Sequence, residues 1–213
     1  MVGYFISLEG IEGCGKTTQA RILEDFLKLR GHRVLLTREP GGTKIGEGIR
    51  KILLHSDNAG MDPHVELLMY EAARAQHVRE VIRPALDEGF VVLCDRFTDA
   101  TLAYQGSGRG LSSSLIMQLN GLVCGGLRPQ LTLLLDCPAE TGLMRAQGRG
   151  AALEKEARED RFEKEALLFH EKVREGYLAI ARAEPGRVQV IDGTLNVDSV
   201  HQAISAVVLG RLR

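Results

Sequence analysis

Short, nearly unbroken apolar runs alternate along this chain with longer stretches whose apolar residues recur every three or four positions. The runs at 4–8, 33–37, 90–94, 131–135 and 188–191 are rich in Val, Leu, Ile and Phe, as expected of parallel strands covered on both faces. Helical spacing falls at roughly 17–30, 44–55, 64–83, 112–124, 138–147, 162–183 and 197–212. This alternation predicts an α/β fold, a parallel five-stranded sheet with helices on both faces. No repeat or low-complexity linker interrupts it, and 213 residues suffice for one core, so 1–213 is expected to be a single domain. Residues 58–63 read as a turn between two helices. Residues 148–160 are the most polar long stretch, with charges of both signs. They fit either a lid, at about 145–160, or a solvated helix extension.

Ligands of an open parallel sheet gather at the carboxyl ends of its strands, so the residues after each apolar run are the candidates for chemistry. After the first run, Gly10-Ile11-Glu12-Gly13-Cys14-Gly15-Lys16-Thr17 fits the phosphate-loop pattern G-x-x-x-x-G-K-[ST]. An amphipathic helix follows, so the strand–loop–helix context is present. The glycines let backbone N–H groups converge on phosphate, and the helix N-terminus adds positive potential. Lys16 is placed to reach the outer phosphates of a nucleoside triphosphate and Thr17 to hold Mg²⁺, with Thr18 beside it. The predicted P-loop NTPase segment is therefore 10–18, and Lys16 is expected to be solvated when the loop is empty. Cys14 is either a reactive thiol or simply small enough for the turn.

The later strand ends are also polar. They carry Arg38-Glu39-Pro40-Gly41-Gly42-Thr43, then Asp95-Arg96-Phe97, then Asp136-Cys137-Pro138 with Arg145 and Arg149 beyond, and finally Asp192-Gly193-Thr194. Arg96 is placed for an acceptor phosphate and Asp95 for Mg²⁺ through water; a structural ion pair is the alternative. Tyr70, Arg74 and His77 share a helix face, which suits either stacking on a base and bonding to its edge or an ordinary amphipathic helix with a core Tyr. Thr101, Tyr104 and Gln105 form a second cluster, and the Gln105 amide offers both a donor and an acceptor to a pyrimidine edge.

Composition narrows the partners. Lys plus Arg number 27 and Asp plus Glu 28, for a net charge of -1, which argues against broad binding to nucleic acid or membrane. No apolar run is long enough to span a bilayer, and the N-terminus enters the first strand without a signal-like stretch. Four cysteines without a C-x-x-C spacing suggest reduced thiols in a cytoplasmic protein.

Taken together, residues 9–17, Thr37 to Thr43, Leu67 to Gln76, Asp95 to Gly110 and Leu134 to Pro138 resemble the thymidylate kinase (dTMP kinase) family of the bacterial type, in its order and spacing. The resemblance implies a nucleoside monophosphate kinase-like enzyme that moves the γ-phosphoryl group of ATP to dTMP with Mg²⁺. It assigns Glu12 to the deoxyribose 3′-hydroxyl, Arg50 and Arg96 to the acceptor phosphate, and Tyr70 to stacking on thymine. Arg74 and Gln105 would bond to the base edge, with Thr101 and Tyr104 close by. Glu39-Pro40 would shape the pocket wall through a cis bond, and Arg145 and Arg149 would reach the donor phosphates from the lid. Catalysis would then rest on Lys16, Arg96, Arg149 and Glu12, in a homodimer. Residues 11–14 hold no Arg, which matches the form with lid arginines. The chain departs from the family in Tyr70 for the usual Phe, Phe97 for a frequent Tyr, and Gln147 for a lid Arg. Two rivals stand beside this reading: a kinase for another nucleoside monophosphate or a deoxynucleoside, and a nucleotide-binding regulatory switch.

Overall fold

The computed structural model describes residues 3–150 and 161–212, without the side chains of 149 and 150. Its five strands are β1 (Tyr4–Glu9), β2 (Val34–Arg38), β3 (Val91–Asp95), β4 (Leu131–Asp136) and β5 (Val188–Asp192). They are all parallel, in the order β2-β3-β1-β4-β5. The register sets Leu8 opposite Asp95 and Leu135 and Asp136 opposite Ile191 and Asp192, so the strands end along one edge. β1, β3 and β4 are buried almost throughout, which is why each reads as a nearly continuous apolar run.

Helices cover both faces: α1 (Lys16–Lys28), α2 (Lys44–Leu54), α3 (Pro63–His77), α4 (Arg83–Asp87), α5 (Thr98–Thr101), α6 (Ser113–Cys124), α7 (Ala139–Gly150), α8 (Leu167–Ala183) and α9 (Val197–Arg211). On one side Leu23, Leu27, Ile204 and Val208 pack with Ile6, Leu8 and Leu133; on the other Val78, Ile82 and Cys124 pack with Phe5, Val92 and Phe97. Thr43 caps α2 by accepting from Gly46 N, and Asp62 caps α3 by accepting from His64 N, just ahead of Pro63.

Three elements differ from the periodicity. The stretch expected at 64–83 runs on through a π-helical turn, Val78–Ile82, into α4. Pro84 has no N–H for the carbonyl four residues back, and the wider turn ahead of it takes up the mismatch. A helix that the pattern did not predict, α5, continues as a π-helical segment, Leu102–Gly108. Its buried side includes Thr101, Tyr104 and Gln105, so it carries no apolar stripe. Residues 162–166 are turn and irregular chain, and α8 starts at Leu167. α8 lies close on the π-helical segment because Gly176 leaves room for Ser107.

Candidate active site

The loop after β1 turns at Gly10, Gly13 and Gly15, with φ of 135°, 72° and 101°. Gly13 also meets α7 so closely that a Cβ would run into the Gly142 carbonyl. Lys16 does not stand in solvent as expected. Its Nζ donates to Gly10 O at 3.0 Å and Ile11 O at 2.7 Å, and the residue is 7% exposed. Cys14 is buried beneath the loop, as a small residue fitting a tight turn. Thr17 and Thr18 are exposed at the start of α1, and Thr17 Oγ1 donates to Asp95 Oδ2 at 2.7 Å. These hard oxygen donors, at the end of the cavity nearest Lys16, suit a magnesium ion that keeps most of its other ligands as water and phosphate.

Glu12 and Arg96 form the centre of the site. Arg96 Nη2 donates to Glu12 Oε1 at 2.8 Å and Arg96 Nη1 to Gly10 O at 2.8 Å and Tyr177 Oη at 3.2 Å. Arg96 holds φ at 73°, a left-handed backbone uncommon outside glycine, which turns its side chain back from the end of β3 to the phosphate loop. Tyr104 donates its hydroxyl to Glu12 at 2.6 Å, and its ring lies under the Arg96 guanidinium at 4.8 Å. His170 Nδ1 stands 3.3 Å from Glu12 Oε2, while its Nε2 is 3.0 Å from Phe162 O. Burial works against the Glu12 charge, but Arg96, His170, Lys16 and Tyr104 together hold its carboxyl far below the usual range.

From there a cavity of about 510 Å³ opens towards Tyr70, Arg74, Thr101 and Gln105, with Glu39 and Arg50 along one wall. The Glu39-Pro40 bond is cis, as expected, and Arg50 Nη1 donates to Pro40 O at 3.0 Å. Tyr70 is half-buried on this wall, and burial pushes its phenol up. Arg74 also lines the cavity, but its donors are already committed. Nε bonds to Glu39 at 2.8 Å, Nη1 to Glu71 at 2.6 Å and Asn120 at 2.9 Å, and Nη2 to Thr101 Oγ1 at 2.9 Å and Phe97 O at 3.2 Å. A guanidinium has five N–H groups, so the expected edge contact requires one of these bonds to open. What Arg74 does here is fix Glu39 and Thr101. Gln105 Nε2 donates to Glu66 Oε1 at 2.7 Å, which leaves the amide oxygen for the cavity.

The family model described as thymidylate kinase matches residues 8–204. The chain is 58% identical over 211 residues to the thymidylate kinase of Geotalea daltonii, and 57% identical over 211 residues to that of Geobacter sulfurreducens, with 99% of each chain covered in both cases. The crystal structure of thymidylate kinase from Ehrlichia chaffeensis matches with a TM-score of 0.78 at 35% identity, covering 98% of this chain and 99% of that one. The chain belongs to the thymidylate kinase family.

At the donor end of this family member, the Arg145 side chain reaches the loop after β5. Its Nη1 donates to Gly193 O at 2.8 Å and its Nη2 to Thr194 O at 3.3 Å, so it holds the loop after β5. The side chain of Arg149 and most of the lid at about 145–160 lie outside the described residues. Several site residues escaped the sequence reading. Glu9, at the end of β1, accepts from Phe97 N at 2.7 Å and Tyr177 Oη at 2.9 Å. Glu66, Arg161 and His170 are buried, and Arg109 is nearly so. Glu9 carried a signal, as a carboxylate ending an apolar run; the others sit in polar stretches where nothing local marks burial.

Proposed function

We propose that this chain transfers the γ-phosphoryl group of ATP to dTMP, giving ADP and dTDP. The observation that carries the reading is the single cavity with Lys16 and Thr17 at one end, Tyr70 and Gln105 at the other, and Glu12 with Arg96 between them. Phosphoryl transfer is mostly positioning and charge stabilisation, and the acceptor is already an anionic phosphate, so no strong general base is needed. Lys16 exchanges its two carbonyls for the donor phosphates. Arg96, with Arg50, takes the acceptor phosphate, and Glu12 with Tyr104 keeps the Arg96 guanidinium in place. The Glu12 carboxylate then faces the sugar, Tyr70 covers the base, and Gln105 with Thr101 meets its edge.

Thr17 and Asp95 are the residues that would hold Mg²⁺, whose chemistry here is to neutralise charge on the β- and γ-phosphate oxygens. A homodimer is the proposed assembly. Val65 and Leu68 on α3, and Met117 and Leu122 on the neighbouring α6, are apolar yet 48–78% exposed, a face that suits a second copy. A cytoplasmic location is proposed from the reduced thiols; no helix among the described residues is long and apolar enough to cross a membrane. The test is an ADP-release assay with ATP and each nucleoside monophosphate. Fast release with dTMP, weaker with dUMP and very poor with dCMP or the purines is expected. Equal rates with dCMP or UMP would move the acceptor, and release without any acceptor would favour a hydrolysing switch.

A further inference from the structure

We infer that Glu66 sets the base preference of the cavity by fixing which end of the Gln105 amide faces the bound base. This rests on the reading above, in which the base lies against Gln105. Glu66 stands on α3 and is wholly buried, at 0% exposure. Four N–H groups converge on its carboxylate. Oε1 accepts from Gln105 Nε2 at 2.7 Å and Arg109 Nε at 3.3 Å; Oε2 accepts from Arg109 Nη2 at 3.2 Å and from Arg161 Nη2.

The chemistry of those neighbours leaves one arrangement. Guanidinium groups donate and never accept, so with two of them against it Glu66 is an acceptor on every side. Gln105 must therefore turn its NH₂ towards Glu66. The other fork of the amide, Oε1, is then turned to the cavity that Gln105 lines, and among the described residues nothing donates to it. A lone acceptor matches the imide N–H of thymine and opposes the ring N3 lone pair of cytosine. Taken alone, a glutamine amide is ambivalent, since half a turn about its last torsion would present NH₂ instead and suit cytosine. That turn would set Gln105 Oε1 against Glu66 Oε1, two acceptors face to face and buried. Arg161 and Arg109 keep Glu66 itself from moving. Arg161 also donates to Leu53 O at 3.0 Å, and Arg109 pairs with Glu165 at 2.7 Å. Glu66 is thus a positioning residue that acts through Gln105.

The test compares kcat/KM for dTMP and dCMP, with ATP, in the wild type, Glu66→Gln, Glu66→Asp, Gln105→Leu and the double variant Glu66→Gln/Gln105→Leu. In Glu66→Gln the side chain can donate as well as accept, so the Gln105 amide is free to turn. The dTMP:dCMP ratio should fall by at least about 10-fold, because a site built for one edge loses its penalty against the other. Glu66→Asp keeps the charge for both arginines, so it folds even if the loss of charge proves disruptive, and it draws the carboxylate back from Gln105. The ratio should fall in it too. On the Gln105→Leu background, Glu66→Gln should leave the ratio unchanged. A wild-type ratio near one would contradict the proposed function itself. A strong wild-type preference that survives in both Glu66 variants would overturn the inference, as would an equal fall on the Gln105→Leu background.

Discussion

Replacing Lys16 with Met keeps the aliphatic stem and removes only the ammonium. In the structure that ammonium donates to the carbonyls of Gly10 and Ile11, at 3.0 and 2.7 Å. Gly10 O keeps a second donor, Arg96 Nη1 at 2.8 Å, so its loss is partial. Ile11 is 2% exposed, and its carbonyl is left with no donor among the described residues. One buried acceptor left unsatisfied costs about 1–3 kcal/mol. For a chain of this size that corresponds to a fall in Tm of about 4–8 °C for a central value of about 2 kcal/mol. Turnover should fall by at least about 10²-fold, the size of losing one preorganised donor to developing charge. The measurements are thermal unfolding of the ligand-free protein and steady-state ADP release. An unchanged Tm would refute the inward-turned lysine, and near-normal turnover would refute its role on the phosphates.

Four further outcomes are expected. Arg96→Met strips Glu12 of its guanidinium and the acceptor phosphate of its cation, so dTMP affinity measured by calorimetry should fall by about 30-fold or more, at about 2 kcal/mol, the low end for breaking a charge pair that is only partly buried; retained affinity would remove Arg96 from the acceptor site. Thr17→Val should raise the Mg²⁺ concentration needed for half-maximal activity, and an unshifted Mg²⁺ titration would contradict the Thr17–Asp95 assignment. Arg145→Ala frees the Gly193 and Thr194 carbonyls, so the KM for ATP should rise while that for dTMP stays; a change confined to dTMP would contradict it. Burial and the nearby Asp99 push the Glu9 carboxyl from 4.5 up to about 8, against the pull of Arg96, Tyr177 and the Phe97 N–H. Its contribution to stability is therefore complete below about pH 4.5 and lost as pH rises through about 8, so Tm should fall more between about pH 5 and about pH 8.5 in the wild type than in Glu9→Gln; parallel curves would refute the shift.

The sheet was legible because its strands are covered on both faces, so burial writes itself as runs that are apolar at nearly every position, such as Phe5 to Leu8 and Leu131 to Leu135, each with one small hydroxyl residue. The phosphate loop was legible because its glycines and Lys16 must fall at fixed spacings. Arg96 and Asp95 could be picked out because they directly follow β3. What stayed hidden depends on partners distant along the chain. Arg161 and Glu66 are 95 residues apart, and each looks like a surface charge until the other is placed beside it. Arg74 reads in the sequence as a donor for a ligand, but Glu39, Glu71, Asn120, Thr101 and the Phe97 carbonyl take its hydrogens. The helical stretch from Thr98 to Gly108 escaped because its inner side lines a cavity with polar groups, so no apolar period betrays it.

The central claim, that the bound nucleotide's terminal phosphoryl group goes to a second nucleotide and not to water, is tested most directly by following the label from ATP carrying ³²P at the γ position. With dTMP present, the account predicts one labelled dTDP for each ADP formed, and almost no ADP or labelled inorganic phosphate when dTMP is left out. ADP accumulating with labelled inorganic phosphate, at a rate indifferent to dTMP, would contradict it.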